Sequence, residues 1–207
     1  PHDAAGGRGA RAGLEVVQIS GKKAGDWLAA RAKAASDLIS FSTDHHAFAY
    51  ASTWGLADVP GTRVELALKD LRGSVTRRTH VYARATETPV GPPIVVDGLA
   101  GTDDVAWKKL ESGFGYVHVR KCAGDLPELM DRAFAAFGDA PGLVLDLRGN
   151  SGGGFDHEDL MGRFVPKGTK LAFKGRKHYD STGATPFKGD VVVIVDALVR
   201  SAGETLA

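Results

Sequence analysis

The chain contains a single cysteine, Cys122. One thiol closes no intrachain disulfide and builds no cysteine-based metal cluster, and it leaves the redox compartment open. An excess of charge of one sign is also missing: 26 Lys and Arg stand against 25 Asp and Glu, a formal net charge of +1. That balance gives no field to gather nucleic acid or an anionic membrane surface. The basic group Arg72, Arg77 and Arg78 is short and reads as the solvated face of a hairpin. No apolar run approaches the roughly 20 residues of a membrane-spanning helix. The longest, DVVVIVDALV from Asp190 to Val199, has the length of a buried strand. A signal-peptide pattern and an initiating Met are absent too, and the chain stops at SAGETLA, the first turn of a helix, so the sequence is expected to be a piece of a longer polypeptide. What is present is 207 residues, 43% of them hydrophobic, enough for one large or two small cores.

The two halves differ in pattern. Residues 1–13, rich in Gly and Ala, are expected to be loose. LEVVQISG predicts a strand and turn, AGDWLAARAKAASDLI an amphipathic helix, and TRVELALKD with SVTRRTHVYARAT a β-hairpin around Leu71-Arg72-Gly73. Residues 39–58 show no clear period. A Pro- and Gly-containing linker over 89–112 follows. Residues 113–207 then read strand (FGYVHVRK), helix from Asp125 to Gly138 with Pro127 in its first turn, strand (GLVLDLRG), helix (HEDLMGRFV), strand (TKLAFKGRKHY), strand (GDVVVIVDA) and a helix start. That alternation predicts an α/β core. The near-continuous apolar runs GLVLDLRG and GDVVVIVDA predict strands buried on both faces.

Two loops carry candidate chemistry. In GNSGG, Ser151 fits the G-x-S-x-G elbow of hydrolases. The stretch also resembles the nucleophile region of trypsin-like and HtrA-like proteases. The run Gly152-Gly153-Gly154 lies between a strand and a helix, where backbone N–H groups can collect negative charge. An oxyanion hole and a phosphate cradle both fit, but the Lys and Ser/Thr of a phosphate loop are absent. Ser201, followed by Ala202, Gly203 and Glu204, opens the last helix. It reads as a capping box with Glu204 or as a nucleophile. If the strands before the two loops are neighbours, both helix starts come to one end of the sheet. One loop then supplies donors and the other a hydroxyl.

GYVHV, LVLDLRGNSGGGF and VVVIVDALVRSAGE, in that order, resemble the catalytic core of the C-terminal (tail-specific) processing peptidases and their tricorn-core relatives. The resemblance covers residues 113–207. It implies a crotonase-like (ClpP-like) spiral core, Ser201 as nucleophile, and an oxyanion hole from Ala202 N–H and that of Gly153 or Gly154. It further implies a PDZ-like module over residues 1–88 with an insertion at about 39–58, a polypeptide substrate held through its C-terminus by strand addition, and a periplasmic or secreted location; no metal or other cofactor is expected. The family's base is a lysine downstream of the serine, or in the tricorn-core branch an upstream His with a downstream Glu. Neither downstream group occurs by Ala207. Two rivals remain: an HtrA-like or elbow-type hydrolase using Ser151, and a non-catalytic relative binding peptides or apolar ligands. His118, mid-strand in GYVHV, reads as structural, as does the thiol of Cys122. His45 and His46 fall in the insertion. His157, Glu158 and Asp159 are consecutive and share no helix face, a poor metal site.

Overall fold

The computed structural model describes residues 13–56, 58–82, 96–174, 177–183 and 187–207. The chain divides into two compact units, Pro1–Pro93 and Ile94–Ala207.

The first unit opens with β1 (Glu15–Ile19) and β2 (Lys22–Lys23), joined by Ser20 and Gly21 with φ of 48° and 78°. Positive φ at both central residues is the signature of a tight two-residue hairpin turn. Helices α1 (Ala24–Ser36) and α2 (Asp44–Trp54) follow. Then come β3 (Arg63–Lys69) and β4 (Val75–Val81), paired from Arg63–Val81 to Lys69–Val75. Asp70 closes this hairpin, its Oδ1 accepting the N–H groups of Arg72 and Ser74 at 2.8 Å each. The antiparallel sheet runs β2-β1-β3-β4. Val64, Leu66 and Leu68 of β3 alternate onto one face and pack with Ile19, Tyr82, Val16 and Trp27. The stretch read as an aperiodic insertion thus contains a helix. Thr43 caps it by accepting His46 N–H at 3.1 Å, and its inward positions are the small Ala47 and Ala51. Alanines leave a weak periodic signal, which is why residues 39–58 looked irregular.

The second unit holds a five-stranded sheet of β5 (Ala100–Gly101), β6 (Val105–Lys109), β7 (Gly115–Val119), β8 (Gly142–Asp146) and β11 (Asp190–Ile194). The strands lie in the order β11-β8-β7-β6-β5. β7, β8 and β11 are parallel, while β6 and β5 join antiparallel beyond β7. The residues read as a linker therefore include two strands, with Val105 and Trp107 facing the core. Helix α3 (Leu126–Phe137) covers one face. Its Leu126, Leu129, Met130, Ala133 and Phe137 meet Val117, Val119, Leu143, Leu145 and Leu147. Gly115 is required there, since a Cβ would sit 2.6 Å from the Phe137 ring. The helix ends at Gly138, φ 57°, as its sequence predicts. Short helices α4 (His157–Met161) and α5 (Ala202–Leu206) and the hairpin of β9 (Lys170–Lys174) with β10 (Lys177–Asp180) complete the unit.

One strand departs from expectation. β8 is central and buried, but β11 is an edge strand whose Val191 and Val192 are exposed. Both have the same β-branched, apolar composition. That composition reports fitness for a strand, whereas burial depends on neighbours, and β11 has only β8 among the described residues.

Candidate active site

Parallel pairing brings the two candidate loops together. β8 and β11 run in register from Gly142–Asp190 to Asp146–Ile194, and Leu147 N–H continues the ladder to Ile194 C=O at 2.8 Å. Both chains leave the sheet at one end, one toward Gly149–Phe155 and the other toward Ser201. Side chains then tie the loops. Asp196 accepts Gly149 N–H from the first loop at 3.0 Å and Leu198 N–H from the second at 3.0 Å. Arg200 Nε donates to Ser151 C=O at 3.1 Å. None of these ties was apparent in the sequence. A carboxylate directly after an apolar strand was their one available signal.

Ser201 adopts φ 54°, ψ −123°. A helix N-cap ordinarily has an extended backbone with negative φ. Ser201 instead lies close to the mirror image of the first central position of a type II turn, at roughly (+60°, −120°), where glycine is favoured. Holding a residue with a side chain in such a region costs on the order of 1–3 kcal/mol, and this strain concentrates at functional sites. Ser20 is the one other non-glycine residue with positive φ among the described residues, and its hairpin turn accounts for it. Glu204 completes a capping box with Ser201, its Oε2 accepting Ser201 N–H at 2.8 Å. A capping box needs no positive φ, so it leaves the backbone of Ser201 unexplained.

The glycine loop presses on this serine. A Cβ on Gly152 would lie 2.8 Å from Ser201 Cβ and 3.4 Å from its Oγ. Of the three glycines, Gly152 N–H donates to Asn150 Oδ1 at 2.8 Å and Gly154 N–H to Cys122 C=O at 3.0 Å. Cys122 N–H in turn reaches Gly152 C=O at 2.8 Å, so Gly153 bridges to Cys122 in the manner of a parallel strand. Among the described residues neither Gly153 N–H nor Ala202 N–H has a partner. Of the two glycines expected as donors, the Gly154 N–H is engaged with Cys122 C=O and the Gly153 N–H is not. Gly153, φ 132°, has no room for a side chain, since a Cβ would overlap Cys122 C=O.

Ser151 differs from Ser201 on each count. Its N–H donates to Arg120 C=O at 2.9 Å, its C=O accepts from Arg200, and its φ is not positive.

Beneath the loop, one face of the sheet carries a polar cluster. Tyr116 Oη donates to the fully buried Asp146 at 2.7 Å, and Arg148 Nε donates to the same carboxylate at 2.9 Å. Burial works to raise the Asp146 pKa, but the hydrogen bonds from Arg148 and Tyr116 outweigh it and hold the carboxyl below its usual range. His118 is buried with Nε2 3.1 Å from Arg148 C=O, so that nitrogen carries the proton and the ring braces the loop's backbone. Burial pushes the Cys122 thiol up, with a smaller opposing effect from the Asn150 hydrogen bond. No group of three or more His, Cys, Asp or Glu stands together as a metal site among the described residues.

Residues 113–207 match the model of peptidase family S41. No curated protein matches the chain. Solved structures similar to it include a photosystem II D1 C-terminal processing protease, 19% identical over 96% of this chain and 48% of that one, with a TM-score of 0.41. A candidate peptidase from Parabacteroides merdae ATCC 43184 is 20% identical over 53% of this chain and 40% of that one, TM-score 0.43. Mature CPAF is 14% identical over 80% of this chain and 40% of that one, TM-score 0.49. The chain thus spans 40 to 48% of the length of these proteins. Residues 113–207, which hold the glycine loop and the Ser201 segment, are thus similar to peptidase family S41, in line with the resemblance to C-terminal processing peptidases that those segments carry.

Proposed function

We propose that this chain carries the nucleophile and the oxyanion site of a serine endopeptidase that cleaves unfolded or C-terminally tagged polypeptides. The strained backbone of Ser201 is the observation that carries the reading. It sets a hydroxyl at a sharp strand-to-helix turn, against the glycine loop, where an elbow-type nucleophile belongs. Ser201 Oγ gives its proton to the base and bonds to the scissile carbonyl carbon; the C–N bond then breaks, the amine leaves with that proton, and the acyl group stays on Oγ until water releases it. The N–H groups of Gly153 and Ala202 receive the negative charge that develops on the carbonyl oxygen. A serine hydroxyl needs a base to become a competent nucleophile. Among the described residues no Lys or His is hydrogen-bonded to Ser201 Oγ. The family resemblance assigns the base role to a lysine, or to a His with a Glu, beyond the residues described. The core is crotonase-like, and the first unit is a PDZ-like module that receives the substrate's C-terminal tail, in a periplasmic or secreted enzyme.

In full-length protein, Ser201→Ala is expected to abolish cleavage of a carboxymethylated, unfolded protein, while Ser151→Ala keeps most of it. The reverse pattern would assign the chemistry to Ser151 and end this reading.

A further inference from the structure

The donor geometry depends on a residue that touches no substrate. Asn150 is fully buried, and both ends of its carboxamide are engaged. Oδ1 accepts Gly152 N–H at 2.8 Å, and Nδ2 donates to Val119 C=O at the end of β7 at 2.8 Å. A donor is needed on one side and an acceptor on the other, which fixes the orientation of the amide. The same oxygen lies against the second loop: a Cβ on Gly203 would come within 2.5 Å of Asn150 Oδ1 and 2.9 Å of its Cγ. One side chain therefore contacts the residue before Gly153 and the residue after Ala202.

The distribution of donors gives this contact its consequence. Asn150 takes the Gly152 proton and the Cys122 carbonyl takes the Gly154 proton. The N–H between them is left to point elsewhere. We propose that Asn150 is the positioning residue of the oxyanion site, setting the Gly153 amide and the Ala202 amide relative to each other through Gly152 and Gly203. This rests on Ser201 as nucleophile. Aspartate is nearly isosteric but, when ionised, sets a carboxylate oxygen against Val119 C=O. When protonated, it donates there and restores the native pattern. Burial and the facing carbonyl both raise the pKa of such a carboxyl. The hydrogen-bond partners of Asn150 among the described residues are the Cys122 thiol and the backbone of Val119 and Gly152, with the backbone of Gly203 beside it, and no charged side chain is hydrogen-bonded to it.

The test uses full-length protein with carboxymethylated, unfolded lactalbumin as substrate, and Asn150→Ala and Asn150→Asp as variants. An ångström-scale misplacement of donors lowers kcat on the order of 10²-fold. The expected result is that loss in kcat with KM little changed for Asn150→Ala. For Asn150→Asp, kcat relative to the native enzyme should climb as pH falls from 8 to 5, at a constant folded fraction by circular dichroism. Native kcat in both variants across that range would overturn the proposal, as would a loss confined to KM or one that follows the unfolded fraction. If Asn150→Ala does not fold, Asn150→Asp decides. Activity of Ser201→Ala equal to the native enzyme would instead sink the nucleophile assignment. The amide resonances of Gly153 and Ala202 then give the independent reading. They should shift in Asn150→Asp at high pH and return at low pH, and unmoved resonances would refute the positioning role.

Discussion

At the scale of single residues, the three adjacent glycines are not equivalent. Gly152 and Gly153 have φ of 81° and 132°, and a Cβ on either meets Ser201 or Cys122. Gly154 has an ordinary φ and open space around it, and its N–H would persist in alanine. Gly152→Ala and Gly153→Ala are therefore expected to lower kcat on the order of 10²–10³-fold, the range for a lost oxyanion donor. Gly154→Ala should fold and cleave nearly as the native enzyme does. Steady-state kinetics of the three variants checks this, and a dead Gly154→Ala would return the donor role to that residue. Part of this was legible in the sequence. Gly-Gly-Gly before a helix announces an anion-seeking loop, and Ser-Ala-Gly-Glu announces a helix start. Which amide is free was not legible. It is decided by Cys122, about thirty residues earlier, whose C=O takes the Gly154 N–H, and by Asn150, whose Oδ1 takes the Gly152 N–H.

At the scale of elements, β7 and β8 are joined by more than their ladder. Tyr116, Asp146 and Arg148 meet on one face, and Asp146 is ionised at lower pH than a free carboxyl. A carboxyl whose pKa is depressed on folding adds stability that is full above its unfolded pKa, about 3.9, and is lost as pH falls through the lower folded value. Asp146→Asn should thus be less stable than the native chain at pH 7, with the gap closing below pH 4. Urea midpoints across that range give the measurement, and a constant gap would show that the cluster acts by packing alone. The α/β alternation of the second half could be read from its apolar runs, because β8 and α3 bury what their patterns say they bury. The exposure of β11 could not be read. A row of valines carries no mark of whether a neighbour lies beyond it.

At the scale of the whole molecule, two expectations separate the units. The first is that residues 1–207 alone show no Ser201-dependent cleavage of fluorescent casein, because no base adjoins the hydroxyl among the described residues, and general-base assistance is worth on the order of 10²–10⁴-fold. Measurable turnover that disappears in Ser201→Ala would place a base inside the chain. The second is that peptides with a free C-terminal carboxylate shift amide resonances of the first unit in an NMR titration, as strand addition to its sheet requires. Shifts from neither free nor amidated peptides would remove the capture role. The chain also contains its own probe. Cys122 is its one thiol, 1% exposed, and its N–H and C=O are bound to the glycine loop while its Sγ lies 3.6 Å from Asn150 Nδ2. A thiol reagent can reach it only when the packing around it opens, and the glycine loop is bonded directly to its backbone. The rate of alkylation at Cys122 is then a clock for local opening, and it times the breathing of the glycine loop with no substrate present.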